Sequence, residues 1–179
     1  MEADWEVEIG GGAPVIEAEW VGLVDLRSHP ECIAEVAEAA AFPALAALLL
    51  ALNAAHSPLW TSKCDVWEPE PAALACYIDM LPVEGRVFAR WQQAEAFCRE
   101  YVTRLAQITR PELSAECSID LVIRQAIACQ AEGFGITAYL RAKAACHADA
   151  EGALAAAMAA LADALPSSLA PATAGSKLQ

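Results

Sequence analysis

The stretch WTSKCDVWEPEP, Trp60 to Pro71, sets a thiol, Cys64, between an amine, Lys63, and a carboxylate, Asp65. An activated nucleophile could be assembled from such groups, but a thiol used this way needs a lowered pKa and an adjacent base, ordinarily histidine. If the stretch is a strand, neighbouring side chains point to opposite faces, and Lys63 and Asp65 stand away from the thiol. Alternation then sends Trp60, Ser62, Cys64 and Val66 toward a core and Lys63, Asp65 and Trp67 outward. The expectation is a structural cysteine.

Three other sets of residues could do chemistry. His29 and Cys32, spaced H-x-x-C, could join Cys146 and His147 around zinc, but adjacent Cys and His is not ordinary ligand spacing. His29 is more simply a first-turn residue and Cys32 a helix core residue, so neither a metal nor a cofactor is expected. The acids Asp65, Asp79 and Asp120 could meet on one sheet face for acid–base work, although the sequence shows neither a pocket nor a raised pKa. The glycines at 10–12 lack the G-x-G-x-x-G spacing and open no helix, so they are no phosphate cradle, and Gly133-Phe134-Gly135 reads as turn geometry.

The elements that position these residues follow from composition and pattern. A chain of 179 residues with 57% hydrophobic and 20% charged residues is long enough for one self-sufficient core. The formal net charge of -13 argues against nucleic acid or an anionic membrane as partner, because polyphosphate binding relies on clustered Lys and Arg. An acidic surface favours a cationic partner. The opening MEADWEVEI is acidic and alternating rather than a signal peptide, and the longest apolar run, Ala39 to Leu52, is interrupted by Pro43 and too short to span a bilayer. Ser176-Lys177-Leu178 is followed by Gln179 and is no terminal peroxisomal address. Seven cysteines without a C-x-x-C pair read as reduced thiols, so the expected location is the cytoplasm.

Trp5, Val7 and Ile9 alternate with Glu6 and Glu8, and Val15 to Arg27 alternates again after the GGGAP turn, which suggests a first hairpin. Ser28 and Glu31 have capping-box spacing ahead of a helix through Ile33 and Val36. A second helix from Phe42-Pro43 carries Leu45, Leu48, Leu49 and Leu52 on one stripe. Trp60–Trp67 and Leu74–Leu81 form a second hairpin, followed by a helix from about Phe88 to Ile108 that Pro111 ends. Cys117–Ile127 and Phe134–Lys143 form a third, turning near Glu132-Gly133, before a last helix over about Asp149–Leu165. The expected architecture is one α+β domain over 1–165, followed by a disordered tail over 166–179. It is a two-layer sandwich of three hairpin–helix units, with helices on one face of a mostly antiparallel sheet of about six strands. From residue 43 the order helix, hairpin, helix, hairpin, helix in an acidic chain resembles the small acidic type III secretion chaperones and related dimeric folds, over roughly three quarters of the chain. The resemblance implies the same two-layer fold.

In such a sandwich the inward set is Ile16, Trp20 and Val24; Trp60, Cys64 and Val66; Leu74, Cys76, Ile78 and Met80; Ile119, Leu121 and Ile123; Ile136, Ala138 and Leu140. The outward set contains Glu17, Glu19, Asp25, Arg27 and Thr137 together with the candidate binding residues Lys63, Asp65, Trp67, Tyr77, Asp79, Asp120, Arg124, Tyr139 and Arg141. Pairing Lys63 with Asp79 sets Asp65 opposite Tyr77. Aromatic and arginine side chains beside charges of both signs are the residue types of interaction hot spots. The expected function is a non-catalytic module that binds another protein or a second copy of itself, chaperone-like or immunity/inhibitor-like in role. The alternative is a small-molecule binder or enzyme using the acids of that face.

Overall fold

The computed structural model describes residues 1–108 and 116–169. Its strands are β1 (Glu2–Glu8), β2 (Val15–Glu17), β3 (Leu59–Glu70), β4 (Ala73–Pro82), β5 (Glu116–Ala128) and β6 (Ala131–Lys143). Its helices are α1 (Ala37–Ala41), α2 (Pro43–Leu52), α3 (Trp91–Leu105) and α4 (His147–Ala164), preceded by a 3₁₀ turn over Pro30–Glu35. The strands make one sheet in the order β1-β5-β6-β4-β3, with β2 continuing the edge beside β5. The hairpin pairings β3–β4 and β5–β6 and the β4–β6 pairing that joins them are antiparallel, while β1 and β2 run parallel to β5. This is the expected two-layer α+β sandwich with a mostly antiparallel sheet.

The helices cover one face because the period-2 and period-3.6 patterns present matching apolar surfaces. Leu74, Cys76, Ile78 and Met80 of β4, Ile119, Leu121 and Ile123 of β5, and Ile136, Ala138 and Leu140 of β6 all enter the main core. They meet the α2 leucines, the α3 stripe Ala94, Phe97, Cys98, Tyr101 and Leu105, and the alanine-rich inner face of α4. On the outside of α3, Arg99–Glu95 and Arg104–Glu100 pair one turn apart.

Several expectations are corrected. The first hairpin does not exist: β1 and β2 each pair with β5, and only Val15–Glu17 of the Val15–Arg27 segment is strand. Such a partnership joins positions over a hundred residues apart, so no turn signal marks it. Ser28 and Glu31 form no capping box. Instead the Asp25 carboxylate accepts the backbone N–H groups of Arg27 and Ser28, and the turn that follows carries no side-chain cap. Phe88 belongs to no helix; it exchanges both backbone hydrogen bonds with Phe134 at 2.9 Å. Pro111 and residues 170–179 of the expected tail lie outside the described residues, whereas Leu169 packs against the core. The third hairpin turns at Cys129-Gln130, both at positive φ (50° and 65°), rather than at Glu132-Gly133.

Trp60 and Ile16 lie on the face opposite the main core, and Trp20 is exposed. A bulge explains Trp60: Thr61 pairs with Met80 but Cys64 with Ile78, so Ser62 and Lys63 together oppose Asp79. The extra residue reverses the alternation before it. Trp60 thus stands opposite Leu81 and joins Ile16, Ala18, Val87, Ala126 and Ala128 in a second small cluster. Ala18 closes this end of the sheet. Its N–H donates to Ile127 O of β5, and its carbonyl accepts Ser62 Oγ of β3 at 2.9 Å, so the two sides of the sheet are drawn together. Arg27 holds the crossing segment by donating to the carbonyls of Ala54, Ala55, Ser57 and Leu59.

Candidate interaction face

The face away from the helices is curled at the Ala18 end, and among the described residues no helix lies on it toward Trp67 and Arg141. Register places all nine candidate residues on it. One row crosses five strands as Asp65, Tyr77, Tyr139, Asp120 and Asp4. The next row carries Trp67, Ala75, Arg141, Ser118 and Glu2. On the other side lie Lys63, Asp79, Thr137, Val122 and Glu6, and beyond them Arg124 beside Glu8. The pairing of Asp65 with Tyr77 is the one expected, and Lys63 stands against Asp79 as half of the bulge.

The aromatic rings run side by side. Trp67 and Tyr77 are 6.3 Å apart between centroids, as are Tyr77 and Tyr139, both tilted. Arg124 completes the run: its guanidinium lies 5.3 Å from the Tyr139 centroid, donates to the Tyr139 hydroxyl at 2.9 Å and pairs with Glu8 at 2.6 Å. A cation over an aromatic ring gains about 0.5–1 kcal/mol at exposed sites.

Asp79 is 7% exposed, in a part of the face where Ala75, Val122 and Thr137 are also buried. Its Oδ1 accepts the Thr137 hydroxyl at 2.6 Å. Burial pushes its carboxyl above the ordinary 3.8, against the opposing pull of the Thr137 bond and the charges of Arg124 and Lys63. A carboxyl raised on folding holds its proton more tightly in the folded chain than in the unfolded one, so its contribution to stability improves as pH falls from the raised value toward 3.8. Above that window the buried charge costs stability. Asp79→Asn keeps an acceptor for Thr137 and removes the charge. It is expected to match or exceed the wild type in urea midpoint at pH 7, with the advantage gone at pH 4. Lower stability at pH 7 would show that Lys63 and Arg124 more than offset the burial. Burial, followed by the charges of Asp79 and Asp65, also raises the Tyr77 hydroxyl.

Sequence reasoning read a strand, β1, in the opening residues but missed its partner, β5, and so the acids it adds to this face. Its register turns Ala3, Trp5 and Val7 toward the helices, where Arg99 sits 4.6 Å over the Trp5 ring, and turns Glu2, Asp4, Glu6 and Glu8 onto the candidate face. The alternation in the opening residues carried that signal; the parallel partner that decides the side did not show. With these four, Asp65, Glu70, Asp79, Glu116 and Asp120 make nine carboxylates against the four cations Lys63, Arg124, Arg141 and Lys143.

The other chemical candidates are not brought together. Cys64 points to the core side, and burial, then the carboxylates of Glu38, Asp65 and Asp79, push its thiol up to about 12. Against the ordinary 9.0 that lowers the thiolate fraction about a thousandfold. Native protein treated with a disulfide reagent is therefore expected to label exposed Cys129 and Cys146 well before Cys64, with labelled sites read by peptide mass spectrometry. Early modification of Cys64 would restore it as a reactive thiol. His29 sits 3.3 Å from Glu31, and His147 3.5 Å from Glu68. Among the described residues no group of three or more His, Cys, Asp or Glu could hold a metal, and no helix is long and apolar enough to cross a membrane.

Clefts lie at the margins of the fold among the described residues. One of about 570 Å³ is lined by Met1, Glu70, Ser118, Arg141 and Lys143; others of about 340 and 250 Å³ flank the crossing segment near Arg27 and Trp20. None of the three is lined by Tyr77, Asp79, Asp120 or Tyr139. No known protein family, curated protein or solved structure matches this chain.

Proposed function

We propose that the protein is a non-catalytic binding module, chaperone- or inhibitor-like in role, which docks another protein or a second copy of itself on the uncovered sheet face. The observation that carries this reading is the side-by-side run of Trp67, Tyr77 and Tyr139 on a face that no helix covers, with Trp67 37% exposed. Large aromatic surface at the centre of a polar, charged rim is the composition of an interface core. The acids of the face serve in this reading as partners for charge rather than as a general acid and base, since Asp65 and Asp120 are separated by the two intervening tyrosine strands.

Site-specific photocrosslinking tests it. Trp67→p-benzoylphenylalanine, illuminated in the cells that make the protein, is expected to trap a discrete protein, either a second copy or another chain. The same label at exposed Leu50 of α2 is the control and is expected to trap none. Equal capture at both positions, or no capture at 67, contradicts the assignment of this face.

A further inference from the structure

We infer that the row Asp65–Tyr77–Tyr139–Asp120 receives the cationic side chains of an extended, Arg- or Lys-bearing protein segment. The inference rests on the reading of this face as a docking surface and names what it takes. Two tilted aromatic rings, 6.3 Å apart, stand in the middle of the row with a carboxylate at each end. The carboxylates are held only by local groups: Asp65 Oδ1 accepts the Val66 N–H and Asp120 Oδ2 accepts the Ser118 hydroxyl at 3.3 Å. Neither makes an ion pair among the described residues.

The chain itself shows how a guanidinium sits here. Arg124 lies over Tyr139, bonds its hydroxyl and meets the Glu8 carboxylate, which is aromatic and ionic recognition of one cation at once. Of the two tyrosines Arg124 covers Tyr139, and among the described residues no cation lies over the Tyr77 ring. Asp4 extends the row on β1 with its Oδ1 occupied only by the Trp5 N–H. The excess of carboxylates over cations on the face gives the occupant its sign.

Spacing gives it its shape. Neighbouring strands are about 4.8 Å apart, so Asp65 on β3 and Asp120 on β5 are separated by about 14 Å. In an extended segment laid across the strands, same-side residues recur about every 6.6 Å, so basic residues at i, i+2 and i+4 span roughly 13 Å and reach the row from end to end.

The probe is GRGRGRGRG-amide carrying fluorescein on its N-terminal amine, titrated into full-length protein at moderate salt and read by anisotropy. Loss of contact to a cation is expected to weaken binding about tenfold in Asp65→Asn/Asp120→Asn, which removes two ionic contacts, and about two- to fivefold in Tyr77→Leu, which removes one aromatic contact. Glu84→Gln/Glu151→Gln removes the same two charges at exposed positions elsewhere and is expected to change affinity less than about twofold. Circular dichroism melts confirm that each variant is folded, and Asp65→Asn/Asp120→Asn, the mildest change in shape, decides the matter if Tyr77→Leu melts early. Equal weakening by both charge pairs would show indiscriminate attraction and overturn the inference. So would a dimer, seen by sedimentation, that Tyr77→Leu dissociates and the peptide leaves intact; the docking face then stands with a second copy on it. A monomer that ignores the peptide, together with no capture at position 67, removes both readings.

Discussion

Tyr101→Ala is expected to destabilise the protein by about 3–5 kcal/mol, the range for emptying a large aromatic site in a core. Tyr101 is wholly buried on α3, with its ring edge-on to Phe97 at 5.6 Å. Its hydroxyl donates to the carbonyl of Leu161 on α4 at 2.6 Å. That carbonyl is in the final turn of α4, where Leu165 N–H bonds to Ala162 O instead, so tyrosine supplies the partner a helix end lacks. Truncation leaves a cavity and an unpaired buried carbonyl together. Tyr101→Phe, which removes only the hydrogen bond, is expected to cost about 1–2 kcal/mol. In a domain of this size each kcal/mol moves the melting midpoint by about 2–4 °C, so calorimetry should separate the two variants by several degrees. Equal losses would assign the effect to the hydrogen bond and not to packing.

Gly133→Ala is expected to cost about 3 kcal/mol although it adds one methyl group. A Cβ at 133 would stand 2.5 Å from the Phe88 carbonyl oxygen and 2.7 Å from Val87 Cγ2. The first contact is with backbone, which no rotamer change relieves. Phe88 is fixed there by its two 2.9 Å hydrogen bonds to Phe134, so the Val87-Phe88 segment must part from β6 or the bonds must lengthen. Overpacking of this kind costs about 1–3 kcal/mol, and each lost hydrogen bond about 1 more. Val87 belongs to the second hydrophobic cluster with Trp60 and Leu81, so the damage should appear in hydrogen exchange first at 87–88 and 133–134. Wild-type stability in Gly133→Ala would mean that the 82–90 segment gives way easily and that the curled end is not firmly closed.

What was legible in the sequence is what periodicity controls. The core faces of β4, β5 and β6 and the α3 stripe repeat at 2 and 3.6 residues over long windows, and local hairpins bring their own partners. The candidate face followed because the residues between the core positions of those strands had to share the other side. Alternation failed where an insertion breaks it: the Ser62-Lys63 bulge is invisible in the string, so counting through it put Trp60 on the wrong face. The parallel edge failed differently. Glu2, Asp4, Glu6 and Glu8 alternate plainly, but which side they take is decided by β5, more than a hundred residues on. The turn at Cys129-Gln130 escaped notice because neither residue is one that left-handed backbone favours. Gly133, close to that turn, serves a close approach by Phe88 instead.

The central claim is that the uncovered face is where the protein works, and hydroxyl-radical footprinting tests it without a known partner. The protein would be oxidised once purified and once in native extract of its own cells, with modification read residue by residue. Trp67, Tyr77 and Tyr139 are expected to be protected in the extract, while Trp20, exposed at 44% beside the crossing segment, is oxidised equally in both. Equal oxidation of Trp67, Tyr77 and Tyr139 in the two samples, or protection centred on Trp20 or the helices, would contradict the account.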